Sequence, residues 1–116
     1  MTGFYEPEID RGFTRVYKSE TPEMLKAFLA FDAAVFAPDA EDGPAIPLKY
    51  RQLIALAVAI TTQCPWCIDS HTKEAVDAGA TDKELAEAAW VATAIRAGGG
   101  FAHGRLAFKL AQPHEH

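Results

Sequence analysis

Basic residues are scarce in this chain: 11 Lys and Arg stand against 16 Asp and Glu, for a formal net charge of -5, and nowhere do the cations form a run. That shortage removes the attraction on which nucleic-acid and anionic-membrane binding depend, so neither partner is expected. Long apolar runs are also missing. The longest, Leu53-Ile54-Ala55-Leu56-Ala57-Val58-Ala59-Ile60, is under half of the roughly 20 residues needed to cross a bilayer, and it reads as a core helix. The opening Met1-Thr2-Gly3-Phe4-Tyr5-Glu6-Pro7 has no basic stretch leading into an apolar one, so no secretory signal is read and a cytoplasmic location is expected. No convincing segment alternates apolar with polar residues as a strand does. Without a preceding strand, Gly98-Gly99-Gly100 is not a phosphate-binding loop, and no cofactor is expected. Cysteine is scarce as well, and both residues are spent on a single C-x-x-C.

What is present is helical. The 116 residues, 49% of them hydrophobic, suit one domain with one core spanning 1–116. The reading is an all-α, single-domain bundle of about six helices. A short helix lies near Ile9 to Tyr17. Thr21-Pro22-Glu23 then opens a helix to about Phe36 with an N-cap, a proline at the first position and an acid in the first turn. Its Leu25, Phe28, Leu29 and Phe36 share a face, while Met24, Phe31 and Val35 widen the apolar surface beyond a core stripe, so part of it is expected to meet another subunit. Residues 38–47 are dense in turn formers and read as a loop. A central helix from Leu48 to about Gln63 is apolar on all sides after its first turn, and is expected to be enclosed by neighbours. Pro65 starts the next, which Gly79 stops. Thr81-Asp82-Lys83-Glu84 matches a capping box and opens a helix to about Ala97. The glycine triplet is expected to break it before a last helix from about Phe101 to Gln112, with Pro113-His114-Glu115-His116 as a tail.

The C-x-x-C therefore sits at a helix N-terminus, where unpaired N–H groups and the helix dipole favour thiolates. Comparable sites lower a cysteine pKa from about 8.5 to roughly 3.5–7.5. His71 follows Cys67 by four residues, one turn along the same face, and is placed to take its proton. In a reducing compartment such a pair is more often catalytic, redox-sensing or metal-binding than a staple, and so small a loop stabilises little. Two buried cysteines acting as small hydrophobes are the plain alternative, and zinc on Cys64, Cys67 and His71 the sharper one. Zinc needs a fourth ligand, which His103 supplies only if the last helix folds back; alone, His103 reads as structural. Trp66 between the cysteines either shapes access and redox potential or covers the core. His114 and His116 read as tail residues.

Three blocks carry a family resemblance: Lys49-Tyr50-Arg51-Gln52-Leu53-Ile54-Ala55-Leu56-Ala57-Val58-Ala59, then Cys64-Pro65-Trp66-Cys67-Ile68-Asp69-Ser70-His71-Thr72, then Ala78-Gly79-Ala80-Thr81. From about 49 to 106 the chain resembles the carboxymuconolactone decarboxylase superfamily, and within it the AhpD-like alkylhydroperoxidases. The resemblance implies a helical homo-oligomer, often a trimer or hexamer, with its site near subunit contacts. It also implies hydroperoxide reduction through a Cys64/Cys67 dithiol-disulfide cycle, with Cys67 attacking, Cys64 resolving, His71 assisting and a dithiol as electron donor. The chain departs from the family at Gln52, where a glutamate is expected, and at Trp66, where a histidine often stands. An amide can orient His71 but cannot take its proton. Glu74, three residues beyond His71, is the nearest acid able to substitute, against a reading as a solvated surface residue, and weak peroxidase activity is the expectation. Two other functions remain: a redox-sensing or zinc-binding module without turnover, and a non-redox lactone decarboxylase or isomerase.

Overall fold

The structure, a computed structural model, describes residues 3–113. Its elements are α1 (Pro7–Gly12), α2 (Thr14–Glu20), α3 (Pro22–Val35), α4 (Leu48–Thr62), α5 (Pro65–Asp77) and α6 (Asp82–Leu110). There is no strand among the described residues, and the all-α class stands. Six helices are present among the described residues, but two differences from the expected pattern cancel in that number. The single helix expected near Ile9 to Tyr17 is two, divided at Phe13, whose N–H turns back to Asp10 O in a tighter i→i−3 bond just after the poor helix former Gly12. At the other end, the two helices expected on either side of Gly98-Gly99-Gly100 are one, the 29-residue α6. Three glycines weaken a helix by about 3 kcal/mol in all, yet they break it only if another conformation is better. Here none of the three takes a positive φ, and the helical ladder continues.

The start of α6 is firmly made. Thr81 Oγ1 accepts the Glu84 N–H at 3.1 Å, Glu84 Oε1 accepts the Thr81 N–H at 3.0 Å, and Glu84 Oε2 meets Lys49 Nζ at 2.9 Å. Lys49 and the Thr81 backbone hold the Glu84 carboxyl below its ordinary range. One carboxylate thus caps α6 and ties it to the first turn of α4.

α4 packs against α5 and α6, and the buried residues lie there: Gln52, Leu56 and Ala59 on α4, Ala75 on α5 and Ala92 on α6. The expectation that α4 is enclosed holds on one side only. On the other, Ile54 and Val58 are 52% and 54% exposed. α3 has no buried residue at all, and its Met24, Phe28, Leu29 and Phe31 all face outward. The radius of gyration is 19.2 Å, against about 13 Å for a compact chain of this length. No helix among the described residues is long and apolar enough to cross a membrane.

Candidate active site

The turn between α4 and α5 is built by two residues of special geometry. Gln63 is left-handed at φ 57, so its N–H reaches Ile60 O while the Cys64 N–H reaches Ala59 O, closing the end of α4 as a Schellman turn. Cys64 then takes an extended backbone as the N-cap of α5, and Pro65 occupies the first helical position, where its missing N–H costs nothing. The Cys67 N–H donates to Cys64 Sγ at 3.3 Å. The two cysteines are joined as a disulfide with Cα atoms 5.3 Å apart, inside the span a disulfide needs.

His71 lies one turn beyond Cys67 on α5 and is half-buried. Its Nδ1 is 2.7 Å from Gln52 Oε1, and the Phe36 ring lies against the imidazole with centroids 4.9 Å apart. Gln52 is 2% exposed, the largest fully buried side chain among the described residues. Its Nε2 donates to Glu74 Oε2 at 2.7 Å. Glu74 is exposed as a whole, so both readings of it hold: it meets solvent, and its carboxylate is bonded into the site.

Cys67 and His71 line one cavity of about 370 Å³ with Val35, Phe36, Ile54 and Val58. Arg51 borders it, but its donors are committed to Ile46 O at 2.7 Å, Val35 O at 2.8 Å and Ala37 O at 2.7 Å, with Asp39 Oδ1 at 3.2 Å. Asp39 also accepts the Leu48 N–H at 2.8 Å at the start of α4. Arg51 and Asp39 therefore pin the loop that carries Phe36 over His71. The guanidinium is a structural clasp, and the rest of the lining is mostly apolar, its other polar groups being the sulfur, the imidazole and Thr62, whose hydroxyl donates to Val58 O at 3.1 Å.

A second cavity of about 960 Å³ opens on the other side of Cys67, bordered by Asp10, Phe13, Tyr17, Phe28, Trp66 and Glu74. Here the segment before α1 folds onto the motif. Phe4 and Tyr5 each place a ring 5.7 Å from Trp66, whose Nε1–H donates to Asp10 Oδ2 at 2.7 Å. Tyr5 donates to Asp69 Oδ2 at 2.9 Å, and Lys73 meets Asp69 Oδ1 at 2.8 Å. Lys73, then Tyr5, hold the Asp69 carboxyl below its ordinary value, while desolvation and the Asp69 bond push the Tyr5 phenol above its own. Trp66 thus covers no core of its own; it anchors the N-terminal segment.

The remaining expected residues lie elsewhere. His103 sits on the unbroken α6 with Nδ1 2.9 Å from Gly99 O of its own helix. Among the described residues no three His, Cys, Asp or Glu side chains gather as a metal site. His114 and His116 lie outside the described residues. Sequence reasoning missed Arg51, Asp39, Tyr5 and Asp10, and its only signal for the first was the Arg51 of the family-like block.

The family model described as carboxymuconolactone decarboxylase family matches residues 22–110. A Paracoccus denitrificans protein described as uncharacterized protein 4 in cox locus is 51% identical over 84 residues, which cover 72% of this chain and 71% of that one. A Mycobacterium tuberculosis protein named alkyl hydroperoxide reductase is 41% identical over 49 residues, 42% of this chain but 14% of that one. The crystal structure of a carboxymuconolactone decarboxylase family protein from Legionella pneumophila aligns with a TM-score of 0.64 at 30% identity, covering 76% of this chain and 73% of that one.

Proposed function

The chain belongs to the carboxymuconolactone decarboxylase family, and from that premise we propose that it is an AhpD-like thiol oxidoreductase that reduces hydroperoxides at the expense of a dithiol. The observation that carries this reading is the placement of Cys64 at the N-cap of α5 and Cys67 in its first turn, bridged to each other, with His71 on the same cavity wall as Cys67. The short alkyl hydroperoxide reductase match agrees with it.

In the reduced protein His71 takes the Cys67 proton. The thiolate attacks the terminal peroxide oxygen, an S–O bond forms, the O–O bond breaks, and the alkoxide leaves as alcohol on gaining a proton. Cys67 is now a sulfenic acid. Cys64 attacks its sulfur, forming the S–S bond and releasing water. An external dithiol then reduces the bridge by two thiol exchanges, entering at Cys64, and is itself oxidised to a disulfide. The assignment of Cys67 as the attacking thiol is supported by its position on both cavities, whereas Cys64 borders neither. A lactone acid has less support as substrate, because Arg51, the cation beside the cavity, is committed to carbonyl oxygens and Asp39.

The working unit is a homo-oligomer, a trimer or hexamer. Supporting this are the extended monomer, the uncovered apolar face of α3 and the open side of α4, more apolar surface than a soluble monomer exposes. The test is hydroperoxide consumption with a small dithiol donor. Wild type should turn over, Cys67→Ser should not, and Cys64→Ser should stop as a sulfenic acid trapped by dimedone. Equal slow rates in wild type and Cys67→Ser would sink the proposal. Light scattering on a sizing column checks the assembly.

A further inference from the structure

We infer that Glu74 is a positioning residue that acts through the Gln52 amide to decide which nitrogen of His71 is free to serve as a base. Donors and acceptors must alternate along the three side chains. An ionised carboxylate only accepts, so the end of the Gln52 amide facing Glu74 Oε2 must be the NH₂ group. The other end is then the carbonyl, which also only accepts, so the ring nitrogen 2.7 Å from it must carry its hydrogen. In neutral His71 that nitrogen is Nδ1, and the lone pair is left on Nε2. Nε2 is thus the one ring atom able to accept a proton in the cavity that His71 shares with Cys67.

Nothing but Glu74 sets the amide's direction. Gln52 is buried, and its partners are His71, which can donate or accept, and Glu74, which cannot donate. Remove the carboxylate and the amide can turn over, present NH₂ to Nδ1, and place the hydrogen on Nε2. Phe36 against the imidazole limits the other escape, a flip of the ring. An amide where the family resemblance leads one to expect a glutamate is therefore not a broken link: a carboxylate one residue further out gives it a direction. A histidine held in the wrong tautomer in a Ser-His-Asp triad costs about 10⁴-fold in rate. Here an undirected amide leaves a mixture that keeps part of the competent tautomer, so the loss is expected at about tenfold or less, under the roughly 10²-fold at which general-base effects begin.

The experiment uses the oxidised full-length protein labelled with ¹⁵N-histidine. Long-range ¹H–¹⁵N correlations, followed through a pH titration to the neutral ring, report which nitrogen of His71 is protonated. Wild type should show Nδ1–H with Nε2 bare. Glu74→Ala and the near-isosteric Glu74→Gln should move His71 toward Nε2–H, and the exchange variant Gln52→Glu/Glu74→Gln should restore Nδ1–H. A wild-type ring protonated on Nε2, or an unchanged tautomer in both Glu74 variants, overturns the inference. It rests on the thiol reading only for its consequence: a tautomer shift in a protein without peroxidase activity refutes the function alone, and peroxidase activity with no shift refutes Glu74 alone.

Discussion

Replacing Gln52 with glutamate, the residue that the family resemblance leads one to expect there, should destabilise this chain. The wild-type amide donates to a carboxylate, a bond worth about 1.5–3 kcal/mol net. The ionised carboxylate introduced by Gln52→Glu makes no such bond and places a second negative charge 2.7 Å from Glu74 Oε2 before any relaxation. With the pair eased apart to about 4 Å, the repulsion is about 4 kcal/mol at an effective dielectric of 20 and about 1 kcal/mol in water. Glu74 is exposed and can turn its carboxylate to solvent, so the lower figure governs. A stronger bond from His71 Nδ1–H to the new carboxylate recovers about 1 kcal/mol. The balance is a loss of about 2 kcal/mol, or a fall of about 8–10 °C in melting temperature. The penalty comes from the Glu74 carboxylate, so adding Glu74→Gln should cancel it. Urea unfolding of wild type, both single variants and the double variant gives the coupling energy. A Gln52→Glu protein as stable as wild type, or a deficit untouched by Glu74→Gln, would refute the reasoning.

Other outcomes follow from the same geometry. Gln63→Gly should stabilise the fold by about 1 kcal/mol by removing a side chain from left-handed backbone, and a lower melting temperature would mean that Gln63 makes a contact worth more than its strain. Gly98→Ala should raise helix stability by about 1 kcal/mol, since a Cβ there meets nothing within 4 Å in the chain; a loss instead would place a second subunit against that stretch of α6. The Tyr5–Asp69 attachment has a pH window read through Trp66 fluorescence. Asp69 is depressed below 3.8, so its contribution is present above that value and fades as the pH falls through the folded pKa; Tyr5 is raised above 10.0, so its contribution is present below that value and fades as the pH rises through the folded pKa. Tyr5→Phe should erase the alkaline change, and a variant that keeps it would contradict the assignment.

The helix starts were legible because their signals are local: Pro22, Pro65 and the Thr81–Glu84 box each act within one turn. The N-terminal placement of the cysteines followed from Pro65, and the relation of Cys67 to His71 from the helical repeat. The glycine triplet misled because propensity sets only the strength of a helix, while its end requires a competing conformation, which Gly79 at φ 100 has and Gly98 to Gly100 lack. The Gln52–Glu74 bond was out of reach for a different reason. Glu74 could be named from its distance along α5, but its meeting with Gln52 depends on how α4 and α5 pack, 22 positions apart in sequence. The bonds of Asp10 and Tyr5 to the C-x-x-C turn join residues 56 and 64 positions apart and leave no local trace.

Trp66 fastens the front of the chain to its chemistry. α1 buries no residue, so little besides the indole and Asp69 holds the N-terminal segment to the rest of the molecule. The two positions between the cysteines are usually thought of as tuning a redox couple. In this chain one of them is also a peg, and the segment hung on it walls the larger of the two cavities at Cys67. A substitution at Trp66 is therefore felt in residues 4–10 as well as at the cysteines, because Phe4, Tyr5 and Asp10 all rest on the indole.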